Sequence, residues 1–214
     1  MTRDELQKEL ITEGYLHSTA LIEAFGIVDR IHFVPANRKD EAYGNYPLPI
    51  GHGQTISQPL TVAFMLELLE PKAGDSVLEI GAGSGWQTAL LSVLVGGTVG
   101  EAQKSGKVVA IERHAELAAL AERNIAAADI PTRKNIHFMV NDGTKGALTE
   151  GPFDRVIAAA AAERIPDAWK EQVKIGGCIV APLRESIVVL KKTTHDTFET
   201  KQYFGFSFVP LIEG

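Results

Sequence analysis

The sequence predicts a doubly wound α/β fold with a mostly parallel sheet and a helical extension at its N-terminus. Three observations carry this expectation. From Pro71 onward, short apolar runs alternate with helical stretches, the rhythm of a parallel sheet covered by helices on both faces. Between the first of those runs and the helix after it lies a turn with glycines at 81, 83 and 85. The residues ahead of Pro71 instead read as helices and loop, with no strand alternation.

The elements follow in order. Helices are expected over 4–11, stopped near Gly14, and over 18–25, capped by Ser18. Residues 35–54 are rich in Pro, Gly, Asn and Tyr without a clear period, which suggests an ordered loop crossing a surface. Ser57 stands where an N-cap belongs for an amphipathic helix over 58–69. The βα rhythm then gives strand 76–80, helix 85–95, strand 107–111, helix 115–128 and strand 136–140. It continues with strand 154–159, helix 166–173 and strand 178–182. A longer turn is expected over 96–106. Two apolar runs, 187–193 and 204–210, have no helix between them and suit an antiparallel pair at a sheet edge.

Composition narrows the function. With 214 residues, 45% of them hydrophobic, the chain can bury one sizeable core, which makes one domain the expectation. A net charge of −6 without a basic stripe argues against nucleic acid as a partner. No apolar run approaches the roughly 20 residues of a spanning helix, and the first residues are polar, so a soluble cytoplasmic protein without membrane contact is expected. The single cysteine, Cys178, cannot form an intrachain disulfide and reads as a buried structural thiol. No His, Cys or carboxylate spacing suggests a metal site.

The chemistry sits at the ends of the strands. The stretch VLEIGAGSGW (77–86) is strand, acidic residue, glycine turn and helix start. Gly81, Gly83 and Gly85 let backbone pass close to a ligand and expose N–H groups. A dinucleotide fingerprint would place its third glycine at position 86, where Trp86 stands, which weakens the reading of an NAD site. Glu79 would repel a pyrophosphate but attract an amino group or a sulfonium, so a nucleoside bearing an amino acid fits better. Glu112, ending the second strand, is placed to accept ribose hydroxyls. Asp142 could accept an adenine amine, with Gly143 permitting close approach. The run PLPIGHGQTISQP (47–59) precedes the helix that feeds this turn and offers Gln54, Thr55 and Ser57 as polar groups.

These residues resemble the protein-L-isoaspartate (D-aspartate) O-methyltransferase family. The 47–59 run is the most specific match. Phe33-Val34-Pro35, Asp142-Gly143, residues 152–157, Ile165-Pro166, Gly176-Gly177 and residues 208–211 are also similar. The resemblance implies one methyltransferase domain, with residues 1–70 as a cap on the substrate side and 71–214 as a Rossmann-like core. It implies a seven-stranded, mostly parallel sheet with an antiparallel C-terminal strand, the last strands in reversed order. The implied cofactor is S-adenosyl-L-methionine, bound by Gln54, Thr55, Ile56, Ser57, Glu79, Gly81, Gly83, Gly85, Glu112, Arg113, Asp142 and Gly143. Ser57 is the implied active-site hydroxyl, with Ile56, Ser57, Val209, Pro210 and Leu211 lining the acceptor side. The implied reaction methylates the free carboxylate of isoaspartyl or D-aspartyl residues in damaged proteins or peptides, by a monomeric enzyme. The alternatives are a methyltransferase for another carboxylate and a non-catalytic binding module. His52 reads as a loop residue, because an ionised carboxylate needs no strong base. Arg184-Glu185 stands where glycine is usual in the family.

Overall fold

The structure, a computed structural model, describes residues 1–97 and 106–213. The turn expected over 96–106 therefore lies mostly outside the described residues. The chain opens with α1 (Arg3–Thr12) and α2 (Thr19–Ile27). A capping box starts α1: Thr2 Oγ1 accepts from Glu5 N–H at 3.2 Å, and Thr2 N–H donates to Glu5 Oε2 at 2.7 Å. Ser18 occupies the N-cap of α2 as expected but makes no side-chain cap bond.

Residues 35–54 are more regular than the sequence suggested. They hold a 3-10 segment (Ala36–Glu41) and the strand β1 (Leu48–Gly51), which pairs antiparallel with β2 (Gln54–Ile56). The connecting loop is His52-Gly53, and both residues have positive φ, 52° and 70°, as a two-residue hairpin requires. Helix α3 (Pro59–Leu69) follows, with Gln58 as its N-cap. Ser57 is therefore not the cap. Pro59 at the first helical position keeps Gln58 extended (φ −56°, ψ 134°), which moves the boundary one residue past Ser57.

Beyond α3 the elements alternate as expected: β3 (Ser76–Ile80), α4 (Trp86–Gly96), β4 (Lys107–Glu112), α5 (Ala115–Ala127), β5 (Ile136–Val140), β6 (Phe153–Ala158), α6 (Asp167–Gln172), β7 (Val173–Leu183), β8 (Ser186–Lys192) and β9 (Phe198–Phe204). The seven-stranded sheet has the order β5-β4-β3-β6-β7-β8-β9. Strands β3 to β7 pair in parallel, β8 runs against β7, and β9 runs against β8, so one strand opposes the rest. The order changes direction at β3, whose neighbours are β4 and β6. That is the switch point where open α/β sheets bind ligands beyond the strand ends.

Two expected bounds were wrong. Strand β7 begins at Val173 rather than 178. The edge partner of β8 is Phe198–Phe204, not 204–210, which contributes only an isolated bridge from Pro210 to Ala161. The sequence FETKQYF lacks an apolar face because both faces of this edge strand are largely exposed.

One apolar cluster joins the N-terminal residues to the sheet. Leu10, Leu21, Phe33 and Leu48 pack with Leu66, Leu90, Val108 and Val180. A second cluster, with Leu78, Val109, Val156 and Trp169, fills the other face of the sheet. Cys178 is half-buried in β7, and burial pushes its thiol up to about 11, which keeps it protonated and inert near neutral pH.

Gly85 is a packing glycine. It caps α4 at φ 86°, and a Cβ there would lie 3.0 Å from the Ala121 Cβ and 3.1 Å from its backbone. Gly85→Ala is expected to lower the free energy of unfolding by about 2–4 kcal/mol, combining left-handed strain with overpacking. Urea denaturation checks this, and an unchanged midpoint would contradict it.

Candidate active site

The ends of β3, β4 and β6 and the segment 54–57 enclose two clefts that meet at Gly81. The first is lined by Gln54, Gly81, Glu112, Arg113, His114, Gly143, Pro210 and Leu211 among others. The second is lined by Thr55, Ile56 and Ser57 together with Gly81, Gly83, Ser84, Trp86, Gln87 and Ala159. The parallel sheet makes this convergence possible. Each strand delivers its C-terminal residue to one edge, and β3 and β4 are in register, Ile80 beside Ile111.

Glu112 is the best-defined polar group. It is 5% exposed; Oε2 accepts the Gly83 N–H at 2.9 Å and Oε1 accepts the His114 N–H at 3.0 Å. The carboxylate is thus clamped between the glycine turn and the end of its own strand, with lone pairs left for a ligand's hydroxyls. The turn is pinned to β4 a second time, because Gly81 and Ala82 both donate N–H to the Ile111 carbonyl, at 2.8 and 3.1 Å. Gly81 (φ 87°) and Gly83 (φ 54°) hold backbone geometry that L-residues rarely adopt.

Other expected site residues lie elsewhere. Glu79 is fully buried beneath the turn and lines neither cleft. Its Oε1 accepts from Gln87 Nε2 at 3.1 Å, while Oε2 has no hydrogen-bond partner among the described residues. It touches the second cleft only through Gln87. The strand's alternation turns this side chain under the turn rather than out of it. Gly85 faces α5, as described above, and is likewise absent from both clefts. Asp142 does not line them either: its Oδ1 accepts from Thr144 N–H at 2.9 Å and Thr144 Oγ1 at 2.7 Å, capping the 3-10 turn Gly143–Lys145. Gly143 does reach the first cleft. A Cβ on it would lie 2.5 Å from Ile80 Cγ2, and its carbonyl accepts from Trp169 Nε1 at 2.8 Å.

Ser57 is half-buried in the wall of the second cleft, and its hydroxyl has no hydrogen-bond partner among the described residues. Its backbone is held instead: the Ser57 carbonyl accepts from Arg30 Nη2 at 3.0 Å. The segment 209–211 laces to the end of β6, with Ala161 N–H donating to the Val209 carbonyl and Leu211 N–H to the Ala161 carbonyl, both at 2.8 Å. Pro210 and Leu211 reach the first cleft, whereas Val209 does not.

Several lining residues escaped the sequence reading. His114 lines the first cleft, and its ring lies 5.0 Å from that of His52 at the hairpin tip. Trp86 and Gln87 were legible only as the start of a helix. Arg30, which lines neither cleft, carried no signal in its mixed surroundings, Val28-Asp29-Arg30-Ile31-His32. Arg184, outside both clefts, holds a positive φ of 54° in the β7–β8 turn.

Burial raises the Glu79 carboxyl to about 7, opposed by the nearby Thr88 hydroxyl and the hydrogen bond from Gln87 and aided slightly by the charge of Glu112. Between the ordinary 4.5 and 7 the folded chain holds a proton that the unfolded chain has released. The resulting stability is full below about 4.5 and is lost as pH rises through 7. Relative to Glu79→Gln, the wild type is expected to lose about 3 kcal/mol of unfolding free energy between pH 5 and pH 8. Urea melts at both values check this; parallel pH slopes for the two proteins would contradict it.

A seven-stranded sheet with one reversed strand, a glycine turn after its central strand and a clamped carboxylate ending the next one define a Rossmann-like methyltransferase of the S-adenosylmethionine-dependent class. The model of the family Protein-L-isoaspartate(D-aspartate) O-methyltransferase (PCMT) matches residues 1–214, and the chain belongs to that family. It is 39% identical over 214 residues to the protein-L-isoaspartate O-methyltransferase of Methanopyrus kandleri, covering 98% of this chain and 91% of the relative. It is 41% identical over 213 residues to that of Ignicoccus hospitalis, covering 98% and 96%. Among solved structures it superposes, at TM-score 0.87 and 22% identity with full coverage of both chains, on a Plasmodium falciparum chain assigned to the same type and crystallised in complex with S-adenosyl-L-homocysteine. At that identity, the superposition speaks for the fold.

Proposed function

We propose that this chain repairs proteins by methylating the free carboxylate of L-isoaspartyl and D-aspartyl residues. Family membership carries the substrate class. The observation that carries the chemistry is the uncommitted Ser57 hydroxyl in a cleft that the Gly81–Gly83 turn also lines. S-adenosylmethionine, when bound, supplies an electrophilic methyl group on a sulfonium.

The residues present suit that group. Glu112 is held with both oxygens on backbone N–H groups and faces the first cleft as a ribose would need, with Arg113, Gln54 and Gly143 around it. Gly81 joins that cleft to the one lined by Thr55, Ile56 and Ser57. A carboxylate acceptor is already an ionised nucleophile, so the chain needs no general base. Its task is alignment. Ser57 Oγ donates to one carboxylate oxygen and leaves the other aimed into the cleft, while Ile56 excludes water behind it. Pro210 and Leu211 edge the acceptor side, and Val209 stands behind them, tied to Ala161.

Residues 1–70 serve as the substrate-side cap of a single domain, and the enzyme works as a cytoplasmic monomer without a nucleic-acid partner. Among the described residues no helix is long and apolar enough to cross a membrane, and no group of three or more His, Cys, Asp or Glu is placed to hold a metal. Methyl transfer to an isoaspartyl peptide, scored as base-labile ester, tests the proposal; transfer to small dicarboxylic acids alone would overturn it.

A further inference from the structure

Arg30 is 2% exposed, yet among the described residues no carboxylate pairs with it. Its three hydrogen bonds all go to carbonyls: Ala42 at 2.6 Å, Ser57 at 3.0 Å and Tyr46 at 3.4 Å. Its Nε has no hydrogen-bond partner among the described residues, and the guanidinium carbon lies 5.1 Å from the centroid of the Trp86 ring. A cation taken out of water without a counter-ion is costly. Burial draws its pKa down to about 10, which still leaves it charged near neutral pH.

The location of that cost is informative. Ala42 and Tyr46 belong to the segment entering the β1–β2 hairpin, Ser57 joins the hairpin to α3, and Trp86 opens α4 directly after the glycine turn. Ser57 and Trp86 both line the second cleft. One planar side chain therefore ties together two residues that line it. A methionine would fill the space but bond no carbonyl. A lysine would keep the charge but lacks the fork and the flat face.

We infer that Arg30 is a positioning residue for the reaction, fixing the Ser57 backbone against the Trp86 wall so that a hydroxyl with no other restraint points into the cleft. This inference rests on the role proposed for Ser57. A small misplacement of an aligning group costs turnover more than it costs cofactor affinity, since alignment is where such a site gains its rate.

Arg30→Lys and Arg30→Met test it. S-adenosylhomocysteine titration counts competent sites, and turnover is then expressed per competent site. Arg30→Lys is expected to bind about one equivalent, with affinity within about three-fold of wild type, while turnover per site falls about ten-fold or more. Hydrogen exchange at the amides of residues 54–58 is expected to quicken, with strand 76–80 unchanged. Wild-type turnover per site in either variant would overturn the inference, as would a loss confined to the number of competent sites, which is what a merely structural role predicts. If Arg30→Met does not fold, Arg30→Lys decides. If the wild type methylates no isoaspartyl peptide, the functional reading fails by itself; the exchange comparison still judges Arg30, and unaltered exchange at 54–58 would overturn its part.

Discussion

Ser57→Ala is expected to lower turnover on an isoaspartyl peptide by about two orders of magnitude while leaving S-adenosylhomocysteine affinity within about three-fold. The asymmetry follows from the geometry. The hydroxyl has no hydrogen-bond partner among the described residues, and Ser57 sits one residue ahead of the N-cap of α3. Removing it takes away neither a cap nor a buried hydrogen bond, so the fold and the first cleft are left intact. What disappears is the donor that orients the incoming carboxylate. Steady-state kinetics beside calorimetry separate the two effects. Unchanged turnover would remove Ser57 from the mechanism.

The second large effect concerns Glu112. Glu112→Ala is expected to weaken S-adenosylhomocysteine binding by at least about 10²-fold, on the scale of one or two charge-assisted hydrogen bonds. The carboxylate acts twice: it faces the cleft, and it anchors Gly83 N–H at 2.9 Å, so its loss frees the glycine turn as well. Glu112→Gln keeps one acceptor oxygen and the side-chain shape, and is expected to fall between the alanine variant and wild type. Calorimetry on all three checks the order; wild-type affinity in Glu112→Ala would refute its ribose role.

The parallel core was legible because buried parallel strands read as short apolar runs. The expected 76–80 and 136–140 match β3 and β5, and 107–111 and 154–159 fall within a residue of the bounds of β4 and β6. The hairpin β1–β2 was not legible, since Pro49 interrupts a four-residue strand and the only signal was the His52-Gly53 loop. Strand β9 was missed because an exposed edge strand carries no apolar alternation, and the apolar run 204–210 took its place in the reading. In the site, Gly81, Gly83, Glu112, Gly143 and Ser57, expected from strand ends, the glycine turn and the 47–59 run, line one or both clefts. Glu79, Gly85 and Asp142 line neither cleft, because strand-end position alone does not say whether a side chain faces the ligand, an adjacent helix or its own turn. Arg30 lay beyond sequence reading: its three carbonyl partners are 12, 16 and 27 residues away and are assembled only by the fold.

The measurement that bears most directly on the central claim compares two peptides identical except that one carries an isoaspartyl linkage and the other a normal aspartyl linkage. Each is incubated with the wild-type protein and methyl-labelled S-adenosylmethionine, and base-labile label is counted. The isoaspartyl peptide is expected to be methylated and its aspartyl twin to stay at background. Equal labelling of the two, or none of either, would contradict the account.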